Sequence, residues 1–142
     1  MSPAFKLAYR SAEIEVLNQR DLIVRLYQGM ERFLIKAQLA MQNFDPGTAH
    51  ENCQRTKAIL VELMSTLNLE EGGEVAQQLQ ALYAFFLTQI VEANLRKDAT
   101  RIEAILPIIV SLREAWQQVP DDLASRSSLP DGHHGHLLSL RI

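Results

Sequence analysis

The residues of this chain that could do chemistry are its carboxylates, four histidines and a single cysteine, Cys53. Helical bundles bind metal pairs when a Glu is followed three residues later by His, because that spacing puts both ligands on one inward face. No Glu here has His at that spacing, and His50 is the only histidine before residue 133. His133, His134 and His136 crowd together in a Gly-containing stretch, where imidazoles can hold a transition metal weakly. No carboxylate or thiolate accompanies them in regular spacing, so they read as part of a solvated tail. Cys53 lies at helical spacing among apolar neighbours and reads as a small core residue. Gly72-Gly73 lacks the Lys and the spacing of a phosphate loop, and there is no Gly-x-Ser-x-Gly elbow for a nucleophile. The sequence therefore predicts no metal, no cofactor and no catalysis, and the chain is not expected to be an enzyme.

Composition narrows the class further. At 142 residues with 47% hydrophobic and 22% charged side chains, the chain fits one domain able to bury a real core. Gly and Pro are few, six and five, and helix-favouring Leu, Ala, Gln and Glu are frequent. A net charge of −3, with Arg and Lys scattered among acids, leaves no basic stripe for nucleic acid. No apolar run approaches the ~18 residues of a membrane span, so no membrane insertion is expected. One cysteine and no basic-then-apolar leader fit a reducing, cytoplasmic setting.

The elements that would position any site are helical. Residues 1–17 mix apolar and polar positions without a sustained period and read as an N-terminal arm. Asn18 with Asp21 marks a helix start, and Leu17 and Leu22 stand where a hydrophobic staple would place them. Ile23, Leu26, Tyr27, Met30, Phe33, Leu34, Ala37 and Met41 then recur at spacings of three and four. Asn43 to Gly47 breaks this helix, and Thr48 with Glu51 suggests a capping box for a second one through Cys53, Thr56, Ile59, Leu60, Leu63, Met64 and Leu67. A short acidic connection leads to a third helix over Gly72 to Leu95. Asp98 caps a fourth, carried by Ile102, Ile105, Leu106, Ile109, Leu112 and Trp116. Pro107 either kinks that helix or divides it into two shorter ones. Residues 120–142 read as a flexible tail with an apolar end, and residues 18–119 as an all-α, antiparallel four-helix bundle, with room for a short extra terminal helix.

With catalysis set aside, the surface remains. On the third helix, Leu79, Leu82, Tyr83, Phe86, Ile90 and Ala93 gather with Val75 in an arc of roughly 100°. Phe85 falls about 80° outside it, among Gln78, Gln89 and Glu92. An aromatic there needs a cover, either a further segment of this chain or a partner. Tyr27 and Tyr83 read as core residues with the hydroxyl at the edge. Asn94, on the apolar flank, either bonds a neighbouring helix end or presents its amide to a peptide backbone. Ile59, Leu63 and Leu67 are either core or the floor of a groove between stripes.

From Lys57 to Trp116 an order of features becomes recognisable: Lys57-Ala58, Leu69 to Glu74, Leu82-Tyr83, Ala93-Asn94 and Ala115-Trp116. Upstream stand Leu26-Tyr27-Gln28-Gly29 and Tyr9. Together they resemble the flagellar secretion chaperone family, FliS, over about residues 5 to 118. The resemblance implies a helical bundle that binds the C-terminal segment of newly made flagellin in the cytoplasm. It further implies that binding prevents premature polymerisation and brings the client to the export gate of the flagellar type III apparatus. On that reading Tyr9, Ile59, Leu63, Leu67, Tyr83, Phe85 and Asn94 contact flagellin, while Phe5, Leu7 and Tyr9 form an N-terminal cap over the groove. The alternative is a structural or regulatory bundle that homodimerises through the Phe85 face.

Overall fold

The computed structural model describes residues 19–120, and these form four helices: α1 (Gln19–Gln42), α2 (Pro46–Ser65), α3 (Gly73–Arg96) and α4 (Ala99–Gln117). The arm residues Phe5, Leu7 and Tyr9, the Leu17-Asn18 helix start and the His-containing tail all lie outside the described residues. Cross-helix hydrogen bonds fix the directions. Arg20 at the start of α1 donates to the Val119 carbonyl after α4 (3.1 Å), and Gln38 near the end of α1 donates to Glu103 near the start of α4 (3.2 Å). His50 pairs with Asn94 (2.9 Å) and Arg101 with Gln89 (3.3 Å), so α3 runs antiparallel to both α2 and α4. The expected antiparallel four-helix bundle is the fold.

The turns depart from expectation in an instructive way. Pro46 and Gly47 do not make the reversal between α1 and α2; they are the first two residues of α2. The chain reverses at Phe44, which takes a left-handed conformation (φ 56°). Its N–H bonds the Met41 carbonyl and the Asp45 N–H bonds the Ala40 carbonyl, closing α1 with the double bond pattern usually built on glycine. Asp45 is then the cap of α2, its carboxylate accepting from the Thr48 N–H at 3.2 Å. The capping box expected on Thr48 thus sits three residues too late, because Pro46, with no N–H to satisfy, is suited to the first helical position. Lys97 closes α3 in the same left-handed way (φ 51°), and Asp98 caps α4 as expected by accepting from the Thr100 N–H at 3.0 Å. Pro107 lies within one continuous α4. Its ring costs ~3 kcal/mol in a helix interior, offset here by the burial of Ile102, Ile105 and Ile109 around it.

The helices form a ring in which α1 packs most extensively on α2 and α4, while α3 packs less closely on its two neighbours. One approach is tight. A Cβ on Gly29 of α1 would stand 3.1 Å from the Ile59 Cδ1 of α2, so glycine lets these two helices close on each other. The diagonal between α1 and α3 is spanned by side chains. Tyr27 and Tyr83 are fully buried and their hydroxyls meet at 2.6 Å, with ring centroids 6.4 Å apart. The expectation that these hydroxyls reach the edge is corrected: each satisfies the other at the centre. Burial raises the pKa of both phenols, most strongly that of Tyr83, so the pair stays neutral. Cys53 is buried too, and burial likewise raises its thiol pKa.

Candidate functional site

The loosely held helix α3 carries the candidate site. Its buried stripe is Ala76, Tyr83, Phe86, Ile90 and Ala93, as the helical period requires. Leu79 and Leu82, expected within that stripe, are only half-buried, and Val75 remains 39% exposed. The reason lies across the seam. Val75, Gln78, Leu79 and Leu82 of α3 face Leu112, Ala115, Trp116 and Val119 of the α4 end across an open, nearly wholly apolar groove of about 290 Å³. In an antiparallel pair the register continues downward, which sets Phe85 opposite Ile108 before the seam closes at the Gln89–Arg101 bond. Phe85 is 45% exposed and Ile108 is 39% exposed, so two further apolar side chains stand open beyond the lining of the groove. Phe85 also tilts against Phe86, centroids 6.1 Å apart, so the surface ring rests on a core ring.

The other residues expected at the site scatter. Leu63 and Tyr83 are fully buried core residues, and neither offers surface to a partner in this arrangement. Ile59 is half-buried on the seam between α1 and α2, and Leu67 is half-buried just past the end of α2. Asn94 makes the first of the two contacts weighed for it. Its amide nitrogen meets His50 Nδ1 at the start of α2, and its oxygen accepts from Lys97. Both ends of that amide are thus committed within the chain, tying α2 to the left-handed end of α3. Tyr9 lies outside the described residues. Among the expected residues Phe85 is the exposed one on α3, one turn beyond Leu82 of the groove wall.

What the sequence reading missed is the α4 wall. Leu112 and Trp116 are expected only as part of the apolar stripe of the fourth helix, and Val119 carries no expectation. No signal in the sequence marks it: Val75 falls inside the apolar arc of α3, and neither stripe alone shows what the other leaves uncovered. A second concavity, about 350 Å³, opens at the opposite end between Met41, Phe44, Asp45, Pro46 and Lys97. There Phe44 is 92% exposed. Among the described residues no three His, Cys, Asp or Glu side chains gather to hold a metal, and no helix is long and apolar enough to cross a membrane.

An apolar groove on a helical bundle suits binding. The model of the family described as flagellar protein FliS matches residues 1–122. The chain belongs to the FliS family. It is 36% identical over 112 residues to the flagellar secretion chaperone FliS of Campylobacter jejuni, covering 79% of this chain and 88% of that protein. It is also 28% identical over 119 residues to the FliS of Vibrio cholerae (84% and 88% coverage), and 32% identical over 100 residues to that of Salmonella typhimurium (70% and 74%). The FliS match stops near the end of α4, leaving residues 123–142 outside it. The Tyr27–Tyr83 pair, the apolar groove and Phe85 therefore all lie within the FliS part of the chain.

Proposed function

We propose that this chain is a non-catalytic export chaperone of the cytoplasm. It binds the C-terminal segment of flagellin, keeps it from polymerising early and delivers it to the flagellar type III export gate. Membership in the family of flagellar secretion chaperones supports this reading, and so do the apolar groove between Val75, Leu79, Leu82 and Leu112, Trp116, Val119 and the exposed Phe85 and Ile108 beyond it. A flagellin terminal segment that is unfolded when free would fold as amphipathic helix on such a surface, laying one apolar face in the groove. Ordering a segment this way costs ~2–5 kcal/mol, which only a long apolar contact offsets. Ile59 and Leu67 extend the client surface beyond α3 and α4, and Phe5, Leu7 and Tyr9 of the arm cover part of it when no client is present.

Calorimetry with a flagellin C-terminal peptide, combined with light scattering, tests the reading. A 1:1 complex of chain and peptide is expected. A stable dimer that ignores the peptide would mean that the Phe85 face joins two copies instead. Deleting residues 2–15 should raise the affinity if the arm is a cap; unchanged affinity would dismiss the cap, and a large loss would make the arm a binding element.

A further inference from the structure

We propose that the apolar C-terminal end of this chain, Leu137 to Ile142, docks back into the groove between α3 and α4 and competes there with the incoming client. The docking itself is independent of the client's identity; the competition rests on the chaperone reading above.

Three observations select this occupant. The first is where the chain leaves the bundle. Val119 lines the groove, and the polypeptide passes through Pro120 into its last 22 residues at the mouth of that groove. The second is what those residues are. Residues 121–136 are rich in Asp, Ser, Gly and His, and the chain then ends Leu137-Leu138-Ser139-Leu140-Arg141-Ile142, four large aliphatics in six positions. Such an end has reason to leave water, and the groove is the nearby surface made of the same material. Glu74 stands one helical turn before Gln78 on the groove's rim, where Arg141 can meet an opposite charge. The third is that residues beyond 122 fall outside the FliS match, so the segment is an addition to a domain whose groove is complete without it.

The geometry allows the return. From Val119 to Leu112 the groove runs about 10 Å along the α4 end, at about 1.5 Å per residue. The intervening residues 121–136 span up to about 50 Å when extended, so Leu137 can reach any point of it. A segment tethered this closely experiences an effective concentration on the order of millimolar, so even a weak six-residue contact is well populated. A client that buries a longer strip displaces it.

The test uses the full chain, without flagellin. The parent is compared with a tail variant, Leu137→Ser/Leu138→Ser/Leu140→Ser/Ile142→Ser, and with a groove variant, Val75→Asp, at an exposed position. Amide hydrogen exchange over residues 137–142 should be at least about threefold slower in the parent than in the groove variant. The indole resonance of Trp116, the chain's single Trp, and the Leu82 methyl resonances should shift in the tail variant. Equal exchange rates together with unmoved resonances would overturn the proposal. So would protection that grows with protein concentration, which assigns the groove to a second copy, or Trp116 shifts that follow only removal of residues 2–15, which assigns it to the arm. With a flagellin C-terminal peptide, the tail variant should bind two- to tenfold tighter than the parent. If neither protein binds the peptide while Trp116 still reports the tail, docking stands and the chaperone reading falls.

Discussion

Phe85 and Phe86 are chemically identical neighbours with opposite roles, and exchanging each for Ala separates surface from core. Full burial of a Phe side chain is worth about 1.5–3 kcal/mol. Phe85 is 45% exposed, so only about half of that, roughly 1 kcal/mol, is lost in Phe85→Ala. Ala is the better helix former by about 0.5 kcal/mol, which leaves a net loss near 0.5 kcal/mol, or about 2–4 °C in Tm for a bundle of this size. Phe86 is fully buried among the core side chains. Removing it forfeits the whole transfer term and opens a cavity, about 3–5 kcal/mol together. Urea denaturation followed by circular dichroism measures both. Calorimetry with the flagellin C-terminal peptide supplies the second axis: Phe85→Ala should weaken binding about tenfold, close to 1.4 kcal/mol, while folded Phe86→Ala loses mainly stability. A Phe85→Ala loss above about 2 kcal/mol of stability would refute the surface assignment, since half of one side chain cannot supply it. Unchanged peptide affinity in Phe85→Ala would remove Phe85 from the client surface.

The buried phenol pair predicts non-additivity: Tyr83→Phe leaves the buried Tyr27 hydroxyl only its contact with Trp116 and should cost about 0.5–1.5 kcal/mol, whereas Tyr27→Phe/Tyr83→Phe together should cost less than the two singles combined. Additive losses in urea denaturation would show that the 2.6 Å contact carries no coupling. The helix caps predict an acid limb. Hydrogen bonds to Thr48 and Thr100 hold Asp45 and Asp98 below their ordinary 3.8, so folding binds fewer protons there than the unfolded chain does. Their contribution is complete above pH ~5 and is lost as pH falls through 3.8 toward the folded values. The Tm gap between the parent and Asp45→Ala/Asp98→Ala should therefore narrow as pH falls from about 5 through and below 3.8; a gap constant over that descent would refute the charged-cap account.

Helix number, order and antiparallel packing were legible because each helix carries a 3.6-residue period long enough to outvote local exceptions. The breaks were legible only as regions. Pro46-Gly47 looks like a turn, yet proline is equally at home in the first turn of a helix, and the residue that reverses the chain is Phe44, which no composition rule favours for a left-handed conformation. Phe85 was legible as an outlier because one helix suffices to place it. Tyr83 was legible as core but its partner, a tyrosine 56 positions away, was not. Leu63 and Asn94 stayed open between two readings because a second helix decides them: Leu63 meets the core and Asn94 meets a histidine 44 positions away. The groove depends on two helices at once, and neither stripe alone reveals that the other fails to cover it.

The buried tyrosines and the open groove are connected by volume. α3 is the helix least supported by its neighbours, and what ties it to α1 across the bundle is the meeting of two long, rigid side chains end to end. Two rings joined through their hydroxyls set a minimum width on that diagonal, because close-packed interiors cannot be compressed by a covalent bond's length without displacing neighbours. Holding α3 away from α1 keeps Leu79 and Leu82 from sinking fully into the core, so they remain half-buried and line the groove with Leu112. A pair of leucines in place of the tyrosines would satisfy the hydrophobic pattern equally well, yet would let α3 settle inward and narrow the seam. A hydrogen-bonded pair is also directional, so it specifies one position for α3 rather than a range of oily ones. The buried contact between the two phenols is in this sense a spacer on the diagonal behind the groove that Val75, Leu79 and Leu82 line.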